Sequence, residues 1–540
     1  MAVSGDIPVM RVQSFANPFA GTTIEELSRL LPKYIAEQRW FRAKAKTIKA
    51  VKIEDVIEIA RGDAFVLVAR LEYGERQSDV YLLALSFARK SNEVEKADVL
   101  ARLEDPEGEG RVLRNALADS EFRLKLLTAI ACNEKFMGRR SELIASRTSA
   151  LTRKCSGSEP KLESFVSRAE QSNSSLVFGD QFILKLFRKL EAGINPDLEI
   201  GRYLTEQHFR YTPAVLGEIE YRPRDGEPMH AGILQGFVKN RGDAWKYTLE
   251  SLSGFFERAL AGGSAPALET YHPMELASEE LPAAARQTVG EYIESARLLG
   301  NRTAQMHAAL TNPNGGLDFA PQRVSAEYAQ QLHREMLEQA ETTFELLDDK
   351  VSALPGEAAE NARKLLEARG QVEERFASLQ ERPISAVRIR HHGDYHLGQV
   401  LFTGDDFVII DFEGEPARPL AQRRIKTLAM RDVAGMIRSF SYAGYAALFG
   451  QVAGVRADSE NKERIEGWAA YWSAWASAEF LKAYFESANR AAFAGADPEE
   501  QRDLFDAFVL QKALYEVAYE LNNRPDWVEI PLRGILTLVE

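Results

Sequence analysis

The stretch from His391 to Glu415 limits the possible folds of this chain more than any other. Its sequence is HHGDYHLGQVLFTGDDFVIIDFEGE. A short strand at 401–402 leads into the turn residues Gly404-Asp405-Asp406, and an apolar strand rich in β-branched residues follows at 407–410. Turn residues between two such runs indicate a β-hairpin. We therefore expect a hairpin with acidic residues at its open end.

Three polar side chains stand where this hairpin opens. Asp394 precedes the first strand, Gln399 lies five residues after Asp394, and Asp411 follows the second strand. Because the hairpin folds the chain back on itself, we expect Asp394 and Asp411 to approach each other. Carboxylate and amide oxygens suit Mg²⁺, which leaves its other positions to phosphate and water. The alternative is a hairpin whose polar turns are purely structural.

The order of these residues favours phosphoryl transfer. In protein kinases an Asp orients the acceptor hydroxyl, an amide five residues later holds one metal ion, and an Asp-Phe-Gly turn holds another. Here the turn is Asp411-Phe412-Glu413-Gly414. His392-Gly393-Asp394 replaces His-Arg-Asp, and the sequence has no Ala-Pro-Glu element, which disfavours a protein kinase.

Length and composition are those of an ordinary globular protein. The 540 residues predict several domains, and 45% hydrophobic and 27% charged residues are typical of soluble proteins. A net charge of −13 disfavours binding to nucleic acid or anionic membranes, but it does not exclude a nucleotide in a local basic cleft. Cys132 and Cys155 show no metal-ligand spacing. Because we see neither a leader nor a membrane span, we expect a cytoplasmic protein.

Residues 1–155 predict a small α+β subdomain. Residues 1–20 lack periodicity and predict a loose arm. We expect helices at 23–37 and 121–136, the first with caps at Thr22-Thr23 and a break at Pro32, and an antiparallel meander of strands at 51–59, 64–71 and 79–86.

Residues 156–238 show predicted strands with the lengths and spacing typical of a kinase small lobe. Lys185 lies inside an apolar strand, so its ammonium group must reach water or find an anionic partner. A helix that begins at Asn195-Pro196 carries Glu199, and a strand Lys paired with a helix Glu holds nucleotide phosphates in kinases. A lysine on an edge strand with its ammonium group in water is the alternative.

A serine-rich loop and a hinge complete this predicted nucleotide site. Serines stand where kinases have glycines, and small hydroxyls still let the backbone approach phosphate. We therefore assign Ser172 and Ser174 to the phosphates. The run 233–238 predicts the last strand and the hinge, where Gln235, Phe237 and Val238 would contact adenine.

Residues 239–540 predict a mostly helical large lobe. The charged segment 335–382 indicates an antiparallel helix pair with solvated faces. His307 lies on an apolar face and predicts a core histidine with satisfied hydrogen bonds. Asp432 also lies among apolar positions and needs donors. The loop backbone near His392 is a plausible source, so we expect Asp432 to support the catalytic loop.

One further helix face combines Lys512, Tyr515 and Glu516. An aromatic ring beside charged groups suits a sugar, because the ring packs on the pyranose and the charges bond its hydroxyls. An ordinary helix surface has the same pattern.

Six segments together resemble those of bacterial maltokinases, a group similar to the aminoglycoside phosphotransferases. They are residues 38–41, 170–175, 392–399, 410–414, 431–436 and 512–516. The resemblance extends from residue 23 to the end of the chain. It implies an α+β, bilobal protein-kinase-like fold with a small β-rich lobe, a large helical lobe and an N-terminal cap.

The resemblance also implies an activity, namely phosphorylation of maltose at its anomeric hydroxyl by ATP and Mg²⁺. Asp394 would act as the catalytic residue, with Gln399 and Asp411 as metal ligands. Sugar contacts are expected from Asp394, His396, Arg438, Lys512, Tyr515 and Glu516. The product, maltose 1-phosphate, would feed α-glucan synthesis. Trehalose synthase is a candidate partner, and a monomer or homodimer is expected. A kinase of another sugar such as glucosamine, or a pseudokinase without turnover, remains an open alternative.

Overall fold

Two units of different composition make up the chain in this computed structural model. The first comprises Met1–Thr205 and Pro213–Lys239, and the second Glu206–Thr212 and Asn240–Glu540. The structure describes residues 7–15, 18–19, 21–44, 46–60, 62–74, 77–88, 98–108, 110–154, 162–167, 173–381, 383–416, 418–458 and 460–539. Strands dominate the first unit and helices the second, which confirms the predicted α+β class.

The described part of the first unit contains four helices and fourteen strands. The helices are α1 (Thr22–Glu37), α2 (Ser120–Cys132), α3 (Ser149–Lys154) and α4 (Pro196–Glu206). The strands are β1 (Val9–Arg11), β2 (Ala50–Ala60), β3 (Ala64–Gly74), β4 (Gln77–Ala88), β5 (Val99–Glu104), β6 (Gly110–Asn115), β7 (Lys135–Met137), β8 (Ser141–Arg147), β9 (Ser164–Val166), β10 (Asn173–Phe178), β11 (Phe182–Phe187), β12 (Lys189–Leu190), β13 (Val215–Pro223) and β14 (Met229–Gly236).

The first sheet has the strand order β1-β5-β6-β4-β3-β2, with β12 paired to β4. Its strands β2, β3 and β4 are consecutive and antiparallel, which confirms the predicted meander. One face packs against α1, and the other shares a hydrophobic core with α2 and the second sheet. The predicted loose arm is wrong for residues 9–11, because β1 pairs in parallel with β5.

Helix α1 continues through Pro32, contrary to the predicted break, and its N-cap is Gly21 instead of a threonine. A proline inside a helix costs about 3 kcal/mol because it removes a backbone hydrogen bond. Leu27, Leu31 and Ile35 recur every four residues and are fully buried. Burial of each such side chain contributes roughly 2 kcal/mol, so the three together outweigh the proline.

The second sheet has the order β7-β8-β13-β14-β11-β10-β9. Helix α2 ends at Asn133, whose φ of 55° is left-handed, so the helix predicted to residue 136 is shorter and β7 follows it. Because this sheet begins at Lys135, it includes strands on both sides of the predicted domain boundary at residue 155. The boundaries at 155 and 238 stay predictions.

Arg188 connects the two sheets of the first unit. It lies between β11 and β12, and its guanidinium is buried, with Nε donating to Ser174 Oγ at 2.9 Å and Nη1 to the Leu82 carbonyl at 3.4 Å. The guanidinium carbon also lies 5.0 Å from the centroid of the Trp40 ring. Burial lowers the pKa of Arg188 to about 10, which leaves it charged at neutral pH.

The described part of the second unit contains thirteen helices and five short strands. The helices are α5 (Ala244–Ala261), α6 (Pro273–Ala277), α7 (Ala283–Val289), α8 (Tyr292–Ala309), α9 (Gly316–Phe319), α10 (Ala326–Lys350), α11 (Gly356–Glu367), α12 (Arg369–Ala377), α13 (Leu420–Arg423), α14 (Met430–Tyr445), α15 (Lys462–Ala488), α16 (Pro498–Asn523) and α17 (Glu529–Val539). The strands are β15 (Gln322–Arg323), β16 (Val387–Ile389), β17 (Val400–Phe402), β18 (Phe407–Ile409) and β19 (Thr427–Leu428).

The predicted helix pair at 335–382 is wrong in its details. Helix α10 begins nine residues earlier, at Ala326, and two shorter helices, α11 and α12, follow it. Helix α10 also packs against α16, with Gln339 Nε2 donating to the Gln511 carbonyl at 2.8 Å, so one of its faces is not free surface. Over the residues that the structure describes, no helix has both the length and the apolar character needed to cross a bilayer.

We predict that Arg188→Met destabilises the first unit, because the change leaves the buried hydroxyl of Ser174 without its donor. The expected loss is about 1–3 kcal/mol, or a fall of roughly 3–10 °C in unfolding temperature. Lys189→Met is the matched control, since the Lys189–Asp79 ion pair (2.9 Å) leaves the lysine 45% exposed and such pairs contribute little. Equal unfolding temperatures for the two variants in a thermal melt would contradict the prediction.

Candidate active site

The predicted hairpin is present, as strands β17 and β18. Val400 pairs with Ile409 and Phe402 with Phe407. The second strand ends one residue earlier than predicted, but the Ile410 N–H still donates to the Gln399 carbonyl at 3.0 Å. The backbone therefore turns at Asp411, whose φ of 68° is left-handed. Asp tolerates this conformation better than most residues do.

His392 ties the polar loop to the end of the hairpin. Its Nε2–H donates to the Ile410 carbonyl at 2.8 Å, and its Nδ1 accepts from the Asp394 N–H at 3.4 Å. Gly393 between them has a φ of +87°, and a Cβ there would lie 3.0 Å from the Gly414 Cα. Only glycine fits such a turn without strain. The loop backbone thus fixes the position of Asp394, the predicted catalytic residue.

Asp432, at the start of α14, is the anchor of this loop. Its carboxylate accepts from the N–H of His392 at 2.7 Å and from the N–H of Gly393 at 2.9 Å. It is 1% exposed. Burial alone raises the pKa of Asp432, but the hydrogen bond from His307 and the loop amides favour the carboxylate, so the pKa lies below its usual value. The predicted support of the catalytic loop by Asp432 is confirmed.

His307 is a satisfied core histidine, as predicted. Its Nε2–H donates to Asp432 Oδ2 at 3.1 Å, and its Nδ1 accepts from the Tyr484 hydroxyl at 3.0 Å. The side chain is fully buried. In the polar loop, burial lowers the pKa of the His391 imidazole to about 3, so His391 is neutral at neutral pH.

Asp394 lies in a small pocket of the second unit with Lys512 and Tyr515, and a third predicted substrate residue, His396, lies close to its carboxylate. Lys512 Nζ is 3.8 Å from Asp394 Oδ1, and His396 Nε2 is 3.9 Å from Asp394 Oδ2. The Lys512 ammonium also stands 4.9 Å from the centroid of Tyr515. Burial, with Glu415 and Asp394 nearby, raises the pKa of Tyr515 to about 12, so its hydroxyl stays protonated. The structure thus brings an acid, a cation and an aromatic ring together.

Several residues of this pocket carried no prediction. Glu415 accepts from Arg418 Nε at 2.9 Å and lies 3.4 Å from Arg431 Nη2. Gln339 and Gln511 also line the pocket. The sequence could have indicated both Glu415 and Arg431, because Glu415 is the last residue of the 391–415 stretch and Arg431 directly precedes Asp432. Gln339, on the distant helix α10, had no sequence signal.

Two predicted substrate residues, Arg438 and Glu516, lie outside the Asp394 pocket. Arg438 Nε donates to Glu516 Oε2 at 2.8 Å in an ion pair that is 3% and 10% exposed. Arg438 lines a separate cavity between α14 and α17, near Arg533, and neither member of the pair lines the Asp394 pocket. The role of this pair in sugar binding stays a prediction.

In the first unit, Lys185 lies beside an acid in the first turn of helix α4. Its Nζ lies 3.4 Å from Asp197 Oδ2, and both residues are buried. Helix α4 starts as predicted, with the Asn195 side chain accepting from the Asp197 N–H at 2.8 Å and Pro196 in the first turn. Asp197 occupies that first turn two residues before Glu199. Asp197 carried no prediction, and the pairing of Lys185 with Glu199 stays a prediction.

The register of β10 and β11 separates two of the predicted phosphate residues. Ser175 pairs with Lys185, and Ser174 pairs with Leu186. Because paired residues share a face and neighbours alternate, Ser174 lies on the face opposite to Lys185, where Arg188 binds it. The joint assignment of Ser174 and Lys185 to phosphate is therefore wrong. Ser172 falls outside the described residues.

Ser175 is the serine on the lysine's face. It is 1% exposed. Over the described ranges of the chain, its Oγ has no hydrogen-bond partner. A buried hydroxyl without a partner is costly and often marks a binding position.

The predicted hinge residues lie at the end of β14. Gln235 pairs with Ile183 of β11, and the Phe237 N–H donates to the Gln181 carbonyl at 2.9 Å. Gln235, Phe237 and Val238 are all partly exposed. Their contact with adenine stays a prediction.

We predict that Asp432→Asn lowers kcat on the order of 100-fold, because an amide presents its NH₂ group where two loop amides need an acceptor. A displacement of about 1 Å at a catalytic group has an effect of this size. Steady-state kinetics gives kcat, and circular dichroism checks that the helices persist. A folded variant with kcat within threefold of the parent would show that the loop does not depend on this carboxylate.

The chain is similar to maltokinases in one segment and to glucosamine kinases over about two thirds of its length. Residues 34–119 match the family model of the maltokinase N-terminal cap domain. A glucosamine kinase of Streptacidiphilus jiangxiensis is 28% identical over 376 residues, which cover 67% of this chain and 70% of that protein. A second glucosamine kinase, from Mycolicibacterium smegmatis, is 24% identical over 69% of this chain and 78% of its own length.

Solved structures show the same fold over nearly the whole chain. A glucosamine kinase in complex with glucosamine, ADP and inorganic phosphate superimposes with a TM-score of 0.59 at 18% identity, covering 94% of this chain and 99% of the other. A further crystal form of glucosamine kinase gives a TM-score of 0.60 at 19% identity over the same shares. These matches confirm the predicted bilobal kinase-like fold with an N-terminal cap. The chain therefore resembles maltokinases in its cap region and has the fold of the solved glucosamine kinases.

Proposed function

We propose that this protein is an ATP-dependent sugar kinase that phosphorylates maltose at its anomeric hydroxyl, giving maltose 1-phosphate and ADP. The observation that carries the proposal is Asp394, held by the Asp432-anchored loop in a pocket with Lys512 and Tyr515. The cap-domain match and the sugar-kinase relatives support the same class of reaction. Supply of maltose by trehalose synthase, and a cytoplasmic location, belong to this proposal.

Asp394 is the proposed acid-base group. It orients the acceptor hydroxyl and accepts its proton as the new oxygen–phosphorus bond forms and the bond from the γ-phosphorus to the ADP oxygen breaks. Lys512, 3.8 Å from Asp394, would balance the negative charge of that carboxylate. The ring of Tyr515 offers a face for the sugar. Most of the rate gain would come from alignment, which the rigid loop supplies.

Two sets of residues are the proposed ligands, one for the metal ion and one for the nucleotide. Gln399 and Asp411 offer amide and carboxylate oxygens, the ligands that Mg²⁺ prefers. When bound, Mg²⁺ would neutralise phosphate charge. Lys185 would bind phosphate oxygens, with Asp197 keeping its ammonium group oriented. Ser175 replaces Ser174 as the proposed phosphate-facing hydroxyl, and Gln235, Phe237 and Val238 remain the proposed adenine contacts.

Glucosamine is the second candidate acceptor, because the relatives carry that name. An amino sugar brings an ammonium group, which needs a carboxylate partner. In the described structure the carboxylates lining the pocket are Asp394, Glu415 and Asp432. Glu415 already faces two arginines and Asp432 two loop amides. A glucosamine ammonium would thus compete with Lys512 for Asp394, which favours a neutral sugar.

The test combines a variant with an acceptor panel. Asp394→Asn should lower kcat by roughly 10²–10⁴-fold, as loss of a general base does, while the KM for ATP changes less than threefold. Asp405→Asn, an exposed turn residue of the same hairpin, is the control for charge. For the parent enzyme we expect kcat/KM for maltose to exceed that for glucosamine at least tenfold, measured by ADP release with the product position determined by NMR.

Two results would contradict the proposal. Substantial phosphotransfer by Asp394→Asn would remove the role of this carboxylate. Preference for glucosamine over maltose would leave a sugar kinase but replace the acceptor.

The two serines make a separate prediction. Ser175→Ala should raise the KM for ATP about five- to tenfold, which corresponds to one lost hydrogen bond. Ser174→Ala should leave the KM for ATP unchanged and lower the unfolding temperature instead, because Ser174 binds Arg188. Steady-state kinetics and thermal melts of the pair give both values. The reverse pattern would assign Ser174 to the nucleotide site and contradict the assignment of Ser175 that we drew from the strand register.

A further inference from the structure

A wide cleft adjoins the Asp394 pocket in the second unit. Its volume is about 820 Å³. Gly393, Glu415, Arg431, Gln511 and Tyr515 line both the cleft and the pocket, so one opens into the other. Whatever binds at Asp394 therefore has room to extend away from the reacting hydroxyl.

Helix α10 forms one wall of this cleft. Its lining residues Gln331, Glu335, Gln339 and Thr342 are spaced by three or four residues and form one stripe along the helix. Gln339 lies at the inner end, because it also lines the Asp394 pocket and bonds the Gln511 carbonyl at 2.8 Å. Gln331 lies eight residues earlier, about 12 Å further out at 1.5 Å per residue.

The chemistry of the lining suits a chain of hydroxyl groups. Four glutamines line the cleft, namely Gln331, Gln339, Gln422 and Gln511. Each amide can both donate and accept, which matches a hydroxyl that does the same. On α10 the Gln331 amide donates to Glu335 Oε1 at 2.8 Å and accepts from Arg334 Nη2 at 2.7 Å, so a sugar hydroxyl there would join an existing chain of hydrogen bonds. Tyr328 and Tyr515 add aromatic faces.

The arginines that line the cleft already have partners, so their charge does not indicate an anionic ligand. Arg418 and Arg431 face Glu415, at 2.9 Å and 3.4 Å. Arg423 Nε donates to the Arg418 carbonyl at 2.7 Å, and Arg388 lies 4.1 Å from the Tyr328 centroid with Nη2 donating to Gln322. The four arginines of the wall are thus engaged, and Glu335 and Glu338 on α10 oppose their charge.

The size of the cleft exceeds that of a disaccharide. With about 30 Å³ for each water-sized group, the cleft holds roughly twenty-seven such groups, more than a disaccharide of hexoses contains in non-hydrogen atoms. The Asp394 pocket itself, about 50 Å³, would receive only the reacting hydroxyl, so the reacting ring also lies in the cleft. The cleft therefore accommodates further sugar units beyond the one that reacts.

We propose that this cleft is an extended binding site for a neutral oligosaccharide acceptor, with α10 providing its outer subsite. This proposal rests on the sugar-kinase function proposed above. Gln339 would contact the unit next to the reacting one, and Gln331 with Glu335 the unit after that. Helix α10 would then set which acceptor lengths the enzyme accepts.

The experiment measures kcat/KM for α-1,4-linked glucose oligomers of one to four units with the full-length protein. We expect the trisaccharide to equal or exceed maltose. The double variant Gln331→Ala/Glu335→Ala should lower kcat/KM for the trisaccharide about five- to tenfold and leave maltose within twofold. Gln339→Ala should lower kcat/KM for maltose and for every longer acceptor. Glu345→Ala is the control, since Glu345 is exposed on α10 and does not line the cleft.

Three results would overturn the proposal. One is that maltose reacts and the trisaccharide does not, which would mean a cleft closed to longer chains. Another is an equal loss on all acceptors in the double variant, which would make α10 a merely structural wall. Phosphorylation of no oligomer and no glucosamine by the parent enzyme would overturn this proposal and the proposed function together. Thermal melts of every variant separate a folding defect from a binding effect.

Discussion

The site depends on one buried carboxylate. Asp432 accepts hydrogen bonds from the two amides that precede Asp394, and His307 completes its hydrogen bonding from the core. In a protein interior an ionised acid is costly unless donors surround it, so this network is stable only when the loop adopts its observed shape. The position of Asp394 is therefore a consequence of core packing around α14.

A second constraint is the alternation of side chains along β10 and β11. The pairing of Ser175 with Lys185 places one serine beside the lysine and sends Ser174 to the opposite face. There Arg188 joins Ser174 to Trp40 and to the Leu82 carbonyl, and the chain then enters the first sheet as β12. The strand that carries Lys185 thus leads directly into the first sheet, and Trp40, in the Gln38–Phe41 segment, has a structural role in that connection.

Two of the carboxylates that line the Asp394 pocket already have partners within the protein. Glu415 faces two arginines and Asp432 two amides, so among the described carboxylates of the pocket Asp394 is left to meet a ligand. The adjoining cleft adds neutral glutamines together with Glu335 and Glu338. A neutral sugar as the acceptor stays our proposal. The relatives named glucosamine kinase share the fold at low identity, and a fold alone does not determine an acceptor.

Local sequence determined the elements whose signal is local: the meander of β2–β4, the β10–β11 hairpin, the start of α4 at Asn195-Pro196, and the hairpin that places Gln399 and Asp411 at its open end. The sequence also identified Asp432 as a buried acid that needs donors. Tertiary structure alone decided the rest. Helix α1 passes through Pro32 because three buried side chains outweigh one lost hydrogen bond, and Asp197, which carried no prediction, was found against Lys185 because helix phase selects it. The lining of the cleft joins α10 to residues far along the chain, and spacing within one segment carries no information about contacts between segments.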